Sequence, residues 1–213
     1  MFASLLDFLF PRRSLGGLEG GWVTQEEGKQ LAAHPIVLET EQLRHLGVQY
    51  VDRIIAATKY AERSLVQRAV WTLKYRKIRD IAPELGALLA HAFPFLLLKD
   101  HPTVCPVPLH WSRRFSRGFN QAELLAREVS TRADLPFADL LRRVHPTGSQ
   151  VGRGREERLH AVMDAFRVAG SDIPSSVIII DDLSTTGATL DACAKALKRA
   201  GVKFVQGLVV AHG

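Results

Sequence analysis

The stretch VIIIDDLSTTGATL, residues 177–190, decides the fold. Val177, Ile178, Ile179 and Ile180 form an apolar, mostly β-branched run with no polar alternation, the pattern of a strand buried on both faces in a parallel sheet covered by helices. Two adjacent acids, Asp181 and Asp182, follow, and then a hydroxyl-rich turn containing Ser184, Thr185, Thr186, Gly187, Ala188 and Thr189. Beyond the turn, Leu190, Cys193, Ala194, Leu197 and Ala200 recur at helical spacing, with Lys198 and Arg199 in the last turn and Gly201 at a C′ position. The turn therefore joins a buried strand to a helix N-terminus. Such a junction presents unpaired backbone N–H groups with a positive partial charge, and Gly187 among small residues lets an anion approach the main chain. Threonine hydroxyls add donors for phosphate oxygens. The acids cannot bind phosphate and serve either the hydroxyls of an attached sugar or a magnesium ion. The ligand implied is a sugar phosphate.

The same stretch closely resembles the 5-phosphoribosyl-1-pyrophosphate (PRPP) motif of the type I phosphoribosyltransferases: an apolar strand, two acids and a T-T-G-x-T loop. The resemblance implies that Asp181 and Asp182 hold the ribose 2′ and 3′ hydroxyls. It also implies that the loop at Ser184, Thr185, Thr186, Gly187, Ala188 and Thr189 holds the 5′-phosphate, with Mg2+ carried on PRPP.

A chain of 213 residues is long enough to bury a full α/β core in one domain with an appendage left over. Its hydrophobic content of 46% and charged content of 23% are those of an ordinary globular protein. The net charge of +6 is unevenly placed: residues 110–160 hold ten Arg, six acids and no Lys, a composition suited to bidentate phosphate contacts. Polyanions, whether pyrophosphate or nucleic acid, are the implied partners. Cys105 and Cys193 lie far apart in apolar segments and form neither a CxxC nor a disulfide framework. Residues 1–10 are apolar but lack a basic leader and a cleavage-like site and are too short to span a bilayer, so a cytoplasmic location with no membrane partner is expected.

Residues 1–50 show a short apolar helix pattern at 4–10, a glycine cluster at Gly16, Gly17, Gly20 and Gly21, and then no lasting periodicity, so they are expected to form a small, loosely packed appendage to a domain at 51–213. The segment 52–60 is apolar in its middle and reads as a strand or as a helix start. Ser64 is a plausible N-cap for a helix to about Lys74, with Leu65, Ala69, Val70 and Leu73 on one face. A second helix is expected from about Asp80 to Phe93 with Pro83 in its first turn. TVCPVPL, residues 103–109, reads as a short strand ended by Pro106 and Pro108. The cations and rings of 113–119 follow, then a helix beginning at Asn120. That basic loop is either a second anion loop at a second strand end or a solvated turn with aromatic anchors. A strand is expected at 139–144, and another at 202–210 beside the one first quoted. The order predicts an α/β domain: a mainly parallel sheet with helices on both faces and a ligand at the strand C-terminal ends.

PVPLHWSRRFSRGFNQAELLA, residues 106–126, resembles the ComF family, also called GntX or amidophosphoribosyltransferase-like, a bacterial branch of the type I phosphoribosyltransferase fold linked to DNA uptake and to use of DNA as a nutrient. TLKYRKIRDIAPELGALLA (72–90) and QVGRGREERLHAVMDAF (150–166) match it too, so the resemblance covers about residues 50–213. It implies that Pro108, Leu109, His110, Arg113, Arg114 and Arg117 form the pyrophosphate side of the pocket. It implies further that residues 150–158, with Arg153, Arg155 and Arg158, are a hood that closes over PRPP and excludes water; an open polar loop is the alternative. Two departures stand out. The family's N-terminal zinc-binding pattern, PRRCxxC...WxCxxC, has lost its thiolates: Ser14, Gly17, Thr24 and Glu27 stand where four cysteines are expected. No zinc is therefore expected, and the N-terminus would be held by packing alone or be partly disordered. Ala161 stands where the family tends to place Asn.

Two functions fit. One is phosphoribosyl transfer from PRPP to a nitrogen acceptor with release of pyrophosphate, which asks for positioning and charge stabilisation rather than a nucleophilic side chain. No catalytic residue is named, because none of the eight histidines forms a metal or triad pattern. The other is a PRPP- or nucleotide-binding module, or one that meets single-stranded DNA or the DNA-uptake machinery. A P-loop nucleotidase is disfavoured, since no GxxxxGK[ST] occurs.

Overall fold

The computed structural model describes residues 14–17, 22–31, 35–62, 64–75, 79–109, 118–144 and 165–213. Among them, six α-helices and seven strands succeed one another: α1 (Gln25–Leu31), β1 (Ile36–Leu38), α2 (Thr40–His45), β2 (Arg53–Lys59), α3 (Leu65–Tyr75), α4 (Ala82–Ala90), β3 (Thr103–Pro106), α5 (Gln121–Ala133), β4 (Leu141–Arg143), β5 (Phe166–Val168), β6 (Ser176–Ser184), α6 (Ala188–Arg199) and β7 (Phe204–His212). Five strands make one sheet in the order β1-β2-β7-β6-β3, in which only β1 runs antiparallel.

The absence of alternation in the apolar run of β6 has the expected cause. Successive strand residues point to opposite faces, and here both faces are covered. Ile178 and Ile180 pack into a core with Val70 and Leu73 of α3, Leu85 and Leu89 of α4, and Leu125 and Val129 of α5. Val177 and Ile179 pack into a second core with Leu190, Cys193, Ala194 and Leu197 of α6. The fold is the α/β arrangement expected, with helices on both faces of a mainly parallel sheet. Residues 52–60, ambiguous as sequence, are strand β2, paired in parallel with β7.

Several caps agree with the sequence. Ser64 Oγ accepts from the Gln67 amide at 3.2 Å, and Asn120 Oδ1 accepts from the Ala122 amide at the same distance. Gly201, with φ 105°, succeeds α6 as a left-handed C′ residue.

Three features were not foreseen. Residues 36–50, which carry no periodicity, supply the edge strand β1 and the buried side chains Leu43 and Val48. The strand expected at 139–144 exists as β4 but lies outside the main sheet, in an antiparallel ribbon with β5, itself only three residues long. In sequence the expected hood, 150–158, falls between β4 and β5; it lies outside the described residues, as do the helix expected at 4–10 and Ala161.

The third is Asp191 in the first turn of α6. Its carboxylate is buried and accepts from the amides of Gln49 at 3.0 Å, Tyr50 at 2.5 Å and Val51 at 3.0 Å. These bonds tie the start of α6 to the segment leading into β2. Asp191→Ala would leave the buried Val51 amide and the half-buried Tyr50 amide without their acceptor, at about 1–3 kcal/mol for each group left unsatisfied. We expect an overall loss of about 3 kcal/mol, which at about 2–4 °C per kcal/mol for a chain of this size lowers Tm by about 6–12 °C. Calorimetric or circular-dichroism melting checks this.

Candidate functional site

The site is built where chain direction around the sheet reverses. α5 comes after β3 and covers one face of the sheet, whereas α6 comes after β6, the neighbour of β3, and covers the other. A crevice therefore opens between the C-terminal ends of these two strands, the place where open α/β sheets bind ligands. The cavity found there has a volume of about 420 Å³. Asp181, Asp182, Thr185 and Thr189 line it from β6 and its loop, Pro108 and Leu109 from the exit of β3, Asn120 from the start of α5, Lys74 from α3 and Arg143 from β4. Beside it Ser184, Thr185, Thr186, Gly187, Ala188 and Thr189 wrap a smaller pocket of about 50 Å³ that shares Asp181.

The two acids lie inside strand β6 rather than beyond its end, so they point to opposite faces. Asp182 takes the direction of Ile178 and Ile180 and meets Lys74, whose Nζ stands 2.8 Å from Oδ1. It is only 4% exposed, so the pair is held largely out of water. Asp181 takes the direction of Ile179, toward α6 and the ribbon. Burial first, and then the charge of Asp182, push its carboxyl up to about 7, against the pull of Lys74, the Asp182 amide and Arg143. That amide donates to Asp181 Oδ1 at 2.8 Å.

The hydroxyl loop is hinged on Gly187. With φ 75° it is in the left-handed region, and it caps α6 without any side-chain hydrogen bond. A Cβ there would lie 3.0 Å from Val48 Cγ2 and 3.3 Å from Ile54 Cδ1. The main chain thus passes against the apolar wall behind it while Thr185 and Thr186 stay exposed. Ser184 Oγ is buried with no hydrogen-bond partner among the described residues, a donor without an acceptor beside the pocket. Opposite Ser184 in β7 stands His212, whose pKa is lowered by burial.

On the β3 side the strand continues as far as its prolines allow: the Val107 amide donates to Ile180 O at 2.9 Å. Asn120 Nδ2 donates to Val107 O at 3.0 Å, which clamps the start of α5 to the strand exit. Arg79 braces the far end of this loop, donating to Gly118 O at 3.2 Å and lying 5.0 Å over the Phe119 ring. Of the residues expected on the pyrophosphate side, Pro108 and Leu109 line the cavity. His110, Arg113, Arg114 and Arg117, and the hood residues Arg153, Arg155 and Arg158, lie outside the described residues.

Lys74 and Arg143 do not stand out in the sequence. Lys74 reads as the polar flank of an amphipathic helix and Arg143 as one of many arginines. A cation in the last turn of a helix immediately before a basic segment is the available signal, and it does not specify a partner. Cys105 and Cys193 are buried free thiols; burial pushes Cys105 up to about 12 and Cys193 well above its ordinary value, so both are inert as nucleophiles.

Known proteins resemble the chain along the same lines. The DNA utilization protein YhgH of Salmonella typhimurium is 32% identical over 163 residues, which cover 73% of this chain and 70% of that protein. The chain belongs to the ComF family. Competence protein F of Haemophilus influenzae is also 32% identical, over 75% of this chain and 66% of its own length, and competence protein ComFC of Streptococcus pneumoniae is 37% identical over 47% and 43%. The chain thus spans just under two thirds of the first of these two ComF proteins and less than half of the second. No family model matches it. Among solved structures, a hypoxanthine phosphoribosyltransferase from Staphylococcus aureus is similar at 22% identity over 63% of this chain and 62% of that one, with a TM-score of 0.30. Among the described residues, no helix is long and apolar enough to cross a membrane.

Proposed function

We propose that this ComF chain binds Mg2+-PRPP in the crevice between β3 and β6 and transfers its phosphoribosyl group to a nitrogen acceptor, releasing pyrophosphate. The observation that carries the reading is the joining, toward the C-terminal end of one strand, of an acid pair to a helix start whose N-cap, Gly187, has no side chain to satisfy it, reached through a hydroxyl-rich loop. In this reading the amides at the start of α6, with the hydroxyls of Ser184, Thr185, Thr186 and Thr189, take the 5′-phosphate. Asp181 and Asp182 accept from the ribose hydroxyls. Arg113, Arg114 and Arg117 meet the pyrophosphate, and Arg153, Arg155 and Arg158 close over it. Magnesium carried on PRPP would supply charge neutralisation at the leaving group. The chain's own contribution is to fix the sugar and to stabilise charge as the glycosidic bond lengthens.

Titration calorimetry with Mg2+-PRPP tests the reading, with a subsequent assay of pyrophosphate release with a panel of nitrogen bases. Absence of binding overturns it; binding without turnover leaves a sensor. A second reading, contact with single-stranded DNA, is favoured by the names of the relatives and by the arginine excess of residues 110–160. Salt separates the two, because binding through several DNA phosphates weakens steeply as salt rises.

The Asp181 carboxyl gives the PRPP reading a pH dependence. Below about 7 it is largely protonated and loses the charge with which it accepts from the sugar. Affinity should therefore fall as pH drops through 7, approaching about tenfold per unit for one linked proton. Asp181→Asn cannot titrate, and its profile should lack this step; an identical slope in that variant shows that another group is responsible.

A further inference from the structure

The positions that would carry zinc-binding cysteines, Ser14, Gly17, Thr24 and Glu27, come together without the chemistry for a metal. A hydroxyl, a glycine, a second hydroxyl and one carboxylate do not make a tetrahedral thiolate site, and no group of three or more metal-ligating side chains occurs among the described residues. Two short turns are nevertheless formed. The Gly17 amide donates to Ser14 O at 2.9 Å, closing the first, and the Leu15 amide donates to Trp22 O at 3.0 Å, joining it to the approach of the second.

Glu27 of α1 sits between them, 6% exposed. Its Oε1 accepts from Ser14 Oγ at 2.9 Å and from the Gly16 amide, and its Oε2 accepts from the Thr24 amide at 2.7 Å. The Glu27 amide in turn donates to Thr24 Oγ1 at 3.2 Å. A buried carboxylate is costly unless several donors meet it. Here burial pushes the carboxyl up, but the bonds from Thr24, Ser14 and Gly16 together bring it below the ordinary value. A Cβ at Gly16 would stand 2.5 Å from Glu27 Oε1, so the turn is shaped around that oxygen.

We propose that the Glu27 carboxylate occupies the structural role of the absent metal, drawing both turns onto one centre and clasping the N-terminal segment to α3 without any ion. The clasp reaches α3 directly, because Arg68 Nη1 donates to Leu15 O at 3.0 Å. Leu15, Trp22 and Val23 pack on the core that includes Val66, Ala69, Val70 and Leu73 of α3. α3, the helix on which the clasp rests, also carries Lys74 to its ion pair with Asp182.

The test uses the full chain. Elemental analysis of the purified protein should find far less than one zinc per chain, and a strong chelator should leave Tm unchanged. Glu27→Ala should speed proteolytic cleavage within residues 14–31 by about tenfold or more, since one lost buried charged acceptor corresponds to at least about 1.4 kcal/mol. If that variant does not fold, Glu27→Gln serves: amide exchange at Gly16 and Thr24 should accelerate while exchange in β6 and β7 does not. Combining Ser14→Cys, Gly17→Cys, Thr24→Cys and Glu27→Cys should restore binding of about one zinc per chain and make Tm chelator-sensitive. Stoichiometric zinc in the parent, unchanged protection in both Glu27 variants, or a four-cysteine variant that takes up no zinc each overturns the proposal.

Discussion

Asp181→Asn combined with Asp182→Asn is expected to abolish binding of Mg2+-PRPP while leaving a folded protein. Hydrogen bonds to charged groups contribute about 1.5–3 kcal/mol each. Losing two therefore removes about 3–6 kcal/mol, or about 10²–10⁴ in affinity. The two positions should differ in their effect on stability. Asp181 carries a carboxyl that burial and its neighbour already disfavour as an ion, so Asp181→Asn should leave Tm unchanged or raise it. Asp182→Asn deprives Lys74 of its 2.8 Å partner and should lower Tm. Titration calorimetry of the double variant, with melting curves of both single variants, separates a binding defect from a folding defect. Unchanged affinity in a folded double variant would sink the assignment of the acids.

Gly187→Val should damage binding and stability together. The residue has φ 75°, and a Cβ would approach Val48 Cγ2 at 3.0 Å. A left-handed conformation costs a non-glycine residue about 1–2 kcal/mol, more for a β-branched one, and crowding a packed wall adds about 1–3 kcal/mol. Together these destabilise by about 2–5 kcal/mol, which is about 4–20 °C in Tm for a chain of this size. Moving the start of α6 away from the wall relieves the strain and displaces the amides proposed to meet the phosphate. An affinity loss beyond tenfold is expected. Gly187→Ala should show the same pattern at smaller amplitude, and a variant with normal Tm and normal affinity would show that the loop geometry is not required.

The legible parts of this molecule are those in which one physical demand controls several neighbouring residues. The run Val177–Ile180 can only be a strand covered on both sides, and the residues after it, through Gly201, read as turn, helix and stop. Asn120 announces its helix because an N-cap is a local device. The opaque parts depend on partners distant in sequence. Asp191 reads as an ordinary acid in a first helical turn; its acceptor role needs amides some 140 positions earlier. Glu27 in the sequence marks only a missing cysteine, in a segment expected to be held by packing alone or to be partly disordered. The hydrogen bonds that converge on the carboxylate replace that expectation. β1 and β5 are three residues each, too short for any period to show. The pairing of β4 with β5 is hidden for the same reason, since a ribbon outside the main sheet carries no pattern different from a strand within it.

The opposite orientation of Asp181 and Asp182 has a consequence for communication through the fold. Asp182 pairs with Lys74 of α3, the helix on which the N-terminal clasp rests; Asp181 points to the opposite face, toward α6 and the β4-β5 ribbon, although the charges of Asp182 and Lys74 still reach it. A sugar that engages both acids bridges two layers otherwise separated by the thickness of the sheet. In the proposed PRPP complex, occupancy of the crevice would thereby link the two faces thermodynamically, and linkage is reciprocal. In that complex, whatever favours the Lys74–Asp182 pair on one face would shift the free energy with which the sugar engages Asp181 on the other.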